Sequence, residues 1–427
     1  MIRLETKYTK RIITENVLKA IYQPRINRIV KRLVRKTSTG VEMTGWINYV
    51  KNYNKTELKG MLKLAKQWQK SNIKKIVVIG IGGSYLGIKA GMDMLRSEFN
   101  KKDFQVYFAH NFNQNYLSAL LNAIGKSPFG IIIISKSGTT LEPAIALDIF
   151  FKRLVKNVGK ARANKLIAAI TDKEKGNLLQ TVKKHDWAHF VIPSNIGGRY
   201  SALTPAGMFL FILLGLDYRA IINGAKDAAK QLMNPDLDKN DAFKYACYRN
   251  YFRTFHRYAV ENFIVYDPGL CMMSEVWKQL FGESEGKDHK ALYPSTSLFT
   301  TDLHSMGQYL QEGTRNFFET TLYIRRPIKD IRLHMSSPVH KYLNGKKLSY
   351  INQIAMLSTV HAHYEDGKTK NLIIYVDRQD AYHFGYLYMW LCFAAMASAY
   401  LLHLNPFDQP GVEVYKKRIT NILKGEN

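Results

Sequence analysis

The run GIIII at 130–134 admits few structural roles. A strand with one wet face alternates apolar and polar residues, and this run does not alternate. It belongs to a strand covered on both faces, as in a parallel sheet packed between helices. Strand-like stretches at Ile76–Ile79, Gln105–Ala109, Leu166–Ile170 and His189–Ile192 surround it, with helical patterns between them. A second set follows at 262–267 (NFIVYD), 297–301 (SLFTT), 317–326 (FFETTLYIRR) and 371–377 (NLIIYVD). The alternation predicts an α/β protein of two doubly wound αβα domains with parallel sheets. The first is expected over 60–195 and the second over 196–427, with N-terminal helices over 1–59 packing on them and a largely helical bridge over 200–261. Ligand sites in such folds lie outside the carboxyl ends of the strands.

The turns after the strands carry the chemistry. GIGGSYLG, 80–87, breaks a strand and opens a helix. Gly80 and Gly82 fit the start of a dinucleotide fingerprint, but Tyr85 stands at the third glycine position and the next strand ends in FAHN rather than in a ribose-binding carboxylate. Gly82 and Gly87 have P-loop spacing, yet Ile88 follows and Lys89 comes one residue late. What remains is a turn whose backbone N–H groups and Ser84 hydroxyl are available to an anion, or a turn that merely packs helix on strand.

SKSGTT, 135–140, decides between them. It puts four hydroxyls, one ammonium and one glycine at a helix start, followed by Glu142 and Pro143 in the first turn. That exceeds what capping requires and suits a phosphate monoester held without a metal. No base-binding signal accompanies it, so a small sugar phosphate fits better than a nucleotide.

Further candidates lie downstream. Arg199 follows a glycine pair in SNIGGRYSALTPAG; FGESEGKDHK holds Glu283, Glu285, Lys287, Asp288 and His289; His304 stands at a strand-to-helix junction, one turn before Gln308; and Lys416 follows the Pro/Gly-punctuated NPFDQPGVEVYKK. Each alone reads as a surface ion-pair partner or a helix cap. Four chemically complementary groups at four loop-like positions read as an active site.

The pieces GIGGSYLG, SKSGTT, GGRYS, FGESEGK, DLHSMGQ and NPFDQPGVEVYK, in this order over 80–416, resemble the glucose-6-phosphate isomerase (phosphoglucose isomerase) family in its shorter bacterial form. The first 60 residues carry no matching motif. The resemblance implies two sugar-isomerase (SIS-type) domains, a homodimer, no cofactor and no metal. It implies reversible aldose–ketose interconversion of glucose 6-phosphate and fructose 6-phosphate, an intramolecular oxidoreduction of glycolysis and gluconeogenesis. On this sequence it assigns the phosphate to Gly83, Ser84, Ser135, Lys136, Ser137, Thr139 and Thr140. It makes Glu283 the base and Arg199, His304 and Lys416 the remaining active-site charges. Spacing alone leaves Glu283 and Glu285 both open as the base. It also leaves open which of His304 and Lys416 opens the sugar ring.

That chemistry is coherent. A closed sugar must be opened by an acid and a base; a carboxylate can then take a proton from C2 and return it to C1 through a cis-enediol. A guanidinium stabilises the enediolate without titrating, an imidazole titrates near neutral pH, and an ammonium can donate to a ring or carbonyl oxygen. Two other functions share the phosphate turn: a dual phosphoglucose/phosphomannose isomerase, and a non-catalytic SIS-fold sugar-phosphate sensor that would not need Glu283, His304 or Lys416.

The chain carries 62 Lys+Arg against 34 Asp+Glu, a net +28, which attracts anions. The densest basic stretch, RINRIVKRLVRK at 25–36, sets Ile26, Ile29, Val30, Leu33 and Val34 on one helical face, as in a domain helix with a solvated basic side. No basic motif is interleaved with aromatics, so no specific nucleic-acid partner is expected. Cys247, Cys271 and Cys392 are too few and too scattered for a disulfide framework or a zinc site. With no secretory h-region at the start, a reducing, cytoplasmic setting is expected. Phe384–Leu402 is uncharged and long enough to span a bilayer. It is expected to be a buried helix, not a membrane anchor, because an isolated span fits poorly among βα units. His361 and His363 in HAH diverge on a helix and are read as non-metallic, with His363 near the dimer interface.

Overall fold

The computed structural model describes residues 2–97, 99 and 104–425. Backbone contacts divide the chain into two units, one formed by 42–229 with 380–388, the other by 1–41, 230–379 and 389–427. The strands are β1 (Ile2–Glu5), β2 (Lys75–Ile79), β3 (Gln105–Ala109), β4 (Phe129–Ile134), β5 (Ile167–Thr171), β6 (Ala188–Val191), β7 (Val260–Val265), β8 (Tyr293–Leu298), β9 (Phe317–Arg326) and β10 (Asn371–Arg378).

In the 42–229 unit the sheet runs β3-β2-β4-β5-β6, and every pairing is parallel. All six residues of β4 are buried, the two-sided cover that GIIII demanded. The order reverses between β2 and β4. From β2 the chain steps outward to β3, then returns to the other side of β2 for β4. Loops leaving the two central strands diverge at such a switch and leave a crevice at their carboxyl ends. Those two loops are the glycine turn and the hydroxyl turn.

The other unit has the order β1-β10-β9-β7-β8. Strands β7 to β10 are parallel, and β1 adds an antiparallel edge on β10, Ile2 opposite Val376 and Glu5 opposite Ile373. This edge strand departs from the helices expected over 1–59. Four residues are too few to show a period, and tertiary contacts set them: Ile2 and Leu4 are buried, and the Leu4 N–H donates to Asp241 Oδ2 at 2.9 Å. The strand expected at 297–301 instead covers 293–298. YPSTSL pairs with a single neighbour at the sheet edge and stays mostly half-exposed, so no apolar run marked it. Ile264, Phe317, Tyr323, Val360 and Ile373 form part of the core over this sheet.

The bridge is helical, with Pro205–Leu213, Tyr218–Gln231 and Asp241–Phe255. In the basic helix Glu15–Val34, Ile26, Val30 and Leu33 are buried, but Val34, the last helical residue, is 68% exposed. The helix Ala381–Leu401 is long and apolar enough to cross a membrane, and 94% of its most apolar window is buried. Phe384 meets Phe211 edge-on, and Trp390 stacks on Tyr245.

Candidate active site

The glycine turn leaves β2 as a single 3₁₀ turn, Gly82–Ser84, before the helix Leu86–Leu95. It is pressed against the loop that carries Arg199. A Cβ on Gly83 would stand 2.0 Å from the Gly198 carbonyl oxygen and 2.5 Å from the Arg199 nitrogen, far inside contact distance. The close approach therefore requires glycine. Arg199 is buried; its carbonyl accepts from the Tyr388 hydroxyl at 2.8 Å, and its guanidinium lies 5.5 Å from the centre of the Tyr200 ring. Tyr200 in turn stacks on Trp46, at 5.1 Å and 17°. We expect Gly83→Ala to displace the Gly198–Arg199 peptide and lower kcat/KM about 10²-fold, as misplaced active-site groups do. Steady-state kinetics beside a circular-dichroism check of folding measures it.

The hydroxyl turn is held from within. Ser135 Oγ accepts the Gly138 N–H at 3.1 Å and Ser137 Oγ accepts the Thr139 N–H at 3.2 Å. Both hydroxyl oxygens accept from the backbone, and a hydroxyl that accepts can still donate its own proton. Ser137 and Thr139 are 2.8 Å apart, oxygen to oxygen. Gly138 has φ +70° and packs on Leu178, where a Cβ would meet the Leu178 nitrogen at 2.3 Å. Thr140 precedes the helix Leu141–Val158 without capping it through its side chain.

Lys136 behaves differently from its neighbours. Its ammonium donates to the carbonyls of Ser194 (2.6 Å) and Ile196 (3.1 Å). It thereby ties the hydroxyl turn to the start of the Arg199 loop. Burial pushes its pKa below the ordinary lysine value, partly opposed by Asp172. Gly83, Ser84, Arg199 and the 135–140 turn thus belong to one end of one sheet, joined through the Gly83–Gly198 approach and the Lys136 contacts.

In the other unit the two glutamates part company. Glu285 is buried, and Arg249 Nη1 donates to both its oxygens, at 2.7 and 2.8 Å. Arg249 Nε also donates to Glu261 Oε2, and Nη1 to Ser398 Oγ. The second Glu261 oxygen accepts from Tyr245 and Thr320. Burial works against the Arg249 charge, but the two carboxylates outweigh it and hold its pKa above the ordinary value. Glu283, two residues earlier on the helix Cys271–Glu285, is half-buried and held by neutral amides: Gln279 Nε2 at 3.0 Å and Gln409 Nε2.

His304 and Lys416 are exposed. His304 ends the 3₁₀ turn Thr301–His304, and Gln308 lies in a separate short helix, Gly307–Glu312, so the two are not one turn apart on one helix. Lys416 is not on a loop: Pro410 opens the helix Pro410–Lys424, and Lys416 lies within it, 3.0 Å from Glu413. The carboxyl-end rule covers His304, which follows β8, but not Glu283. The helix Cys271–Glu285 runs back from the end of β7, so its last turn reaches the start of β8. His363 is buried, with Nδ1 2.9 Å from Glu319. Among the described residues no three His, Cys, Asp or Glu side chains are grouped to hold a metal.

Sequence reasoning missed Gln279, Gln409 and Arg249. Arg249 had a signal: Glu261 sits inside an apolar strand, and a buried carboxylate requires a cationic or hydrogen-bonding partner.

A parallel sheet with a hydroxyl-rich turn at its switch point, and a second unit whose parallel strands follow the same winding, mark the sugar-isomerase class of α/β proteins. Residues 27–319 match the model of the phosphoglucose isomerase family. A glucose-6-phosphate isomerase of Acholeplasma laidlawii is 42% identical over 426 residues, 99% of each chain. The chain belongs to the phosphoglucose isomerase family. A crystal structure of a glucose-6-phosphate isomerase from Chlamydia trachomatis shares the fold, with a TM-score of 0.83 at 18% identity over 99% of this chain and 88% of that one. So does a hypothetical protein from Thermus thermophilus, with a TM-score of 0.89 at 24% identity over 99% and 100%.

Proposed function

We propose that this enzyme interconverts glucose 6-phosphate and fructose 6-phosphate, in the cytoplasm, through a cis-enediol and without cofactor or metal. The observation that carries the reading is the packing of the Arg199 loop on the glycine turn, next to the hydroxyl turn. It supports a monophosphate anchor and a guanidinium working at one switch point. The hydroxyls of Ser84, Ser135, Ser137, Thr139 and Thr140 and the backbone at Gly83 hold the phosphate, while Lys136 props the Arg199 loop. Arg199 stabilises the enediolate oxygen. Glu283 carries the proton between C2 and C1; Glu285, occupied by Arg249, takes no part in the transfer. Lys416 and His304 supply the acid and base of ring opening.

The placement of His304 favours a homodimer. Glu283 and His304 stand at opposite ends of β8, whose six residues span about 20 Å. His304 of the partner subunit supplies the missing group to each site. Exposed apolar side chains on 328–354, among them Ile328, Ile331, Val339 and Tyr342, and Val414, Ile422 and Leu423 on the last helix offer contact area for a second copy.

A coupled assay with glucose 6-phosphate and mannose 6-phosphate, with and without EDTA, tests the reading. We expect turnover of glucose 6-phosphate that the chelator leaves unchanged. Fructose 6-phosphate binding with no turnover would make the protein a sensor, and turnover of both hexose phosphates a dual isomerase.

A further inference from the structure

Two independent sets of contacts fasten the loop 405–409 to the end of the helix that carries Glu283. Lys287 Nζ donates to the carbonyls of Asn405 and Asp408, the latter at 3.1 Å, and pairs with Asp408 Oδ1 at 2.6 Å. Its side chain is only 10% exposed, although the Asp408 carboxylate is about half exposed. One residue further on, Gln409 Nε2 donates to Glu283 Oε2, while Gln279 takes Oε1. The path closes on itself: Glu283 to Lys287 along the chain, across to Asp408, on to Gln409, and back to Glu283. Asn405 contributes a second brace, its Oδ1 accepting the Phe407 N–H at 3.0 Å. Gln409 is followed at once by Pro410, the first residue of the helix that bears Lys416, so the same loop sets that helix too.

We propose that Lys287 is a positioning residue: by pinning the 405–408 backbone it holds the Gln409 amide on Glu283 and so fixes the carboxylate that must reach two adjacent sugar carbons. The proposal rests on the reading of Glu283 as the proton carrier. A carboxylate that swings away from either carbon loses the transfer but not the phosphate grip, so the effect should fall on kcat and spare KM.

The test compares Lys287→Met, Lys287→Arg, Gln409→Leu and the Lys287→Met/Gln409→Leu double variant of the full chain, assayed well below their melting temperatures. Lys287→Met should lower kcat about 10- to 100-fold with KM within about twofold. Lys287→Arg, whose fork can bridge the same oxygens, should recover most of the loss. The double variant should be no worse than Gln409→Leu alone, because both act through one contact. Should Lys287→Met fail to fold, Asp408→Ala removes the ion pair at an exposed side chain and should still lower kcat severalfold. A kcat within about threefold of wild type in Lys287→Met, or in Asp408→Ala where it stands in, overturns the proposal, as do losses that multiply in the double variant. Glu283→Gln in the same series separates the two readings: if it retains full activity, the proton-carrier reading itself has failed.

Discussion

Glu283→Gln should lose isomerase turnover about 10³- to 10⁴-fold, the scale of removing a positioned proton-transfer group, while KM changes no more than a few-fold. The substitution keeps the shape and one of the two accepted hydrogen bonds, the other needing its facing Gln amide to turn over, but an amide cannot accept a carbon-bound proton. The hydroxyl turn belongs to the other unit and is untouched. Glu285→Gln is the contrasting case. It weakens the double contact with Arg249, so it should lower stability, yet the folded enzyme should still turn over substrate. Rates and melting temperatures on the two variants separate the roles; a dead, stable Glu285→Gln beside an active Glu283→Gln would exchange them.

The largest effect on stability should come from Arg249→Met. The guanidinium is 1% exposed and bonds two carboxylates that are 0% and 1% exposed, with the Phe281 ring 3.9 Å away on its face. Removing it leaves Glu261 and Glu285 buried without a counter-charge, a loss of about 3–5 kcal/mol. That is a large share of the roughly 5–15 kcal/mol that holds a domain folded. Urea unfolding should show the midpoint falling sharply or the protein failing to accumulate. Adding Glu261→Gln and Glu285→Gln should restore part of the loss, because neutral amides tolerate the apolar site better than ions do. No recovery in the triple variant would mean that the packing of Arg249, not the charge balance, supports the core.

What the sequence disclosed follows from burial on two faces. GIIII and NLIIYVD announced β4 and β10 because a covered strand needs apolar side chains throughout. YPSTSL did not announce β8, since an edge strand needs only one neighbour and keeps polar side chains. IRLE did not announce β1, whose place depends on β10 far along the chain. The same division holds in the candidate site. The hydroxyl turn was legible because its chemistry is local, six residues in one loop. The difference between Glu283 and Glu285 was not, because it is made by Arg249 and Gln409, which only the folded chain brings to the end of that helix. The role of glycine in GGS was half legible: a tight strand-to-helix turn was visible, the pressure of Gly198 on Gly83 was not.

Hydrogen exchange during turnover tests the proton-transfer account most directly. Fructose 6-phosphate incubated with the enzyme in D2O, in EDTA, and followed by proton NMR should gain deuterium at C2 of the glucose 6-phosphate formed, and at C1 of the ketose on return. The Glu283→Gln enzyme should leave both positions protonated while still binding the sugar phosphate. Solvent deuterium entering either carbon in the Glu283→Gln enzyme at the wild-type rate would contradict the assigned role of Glu283.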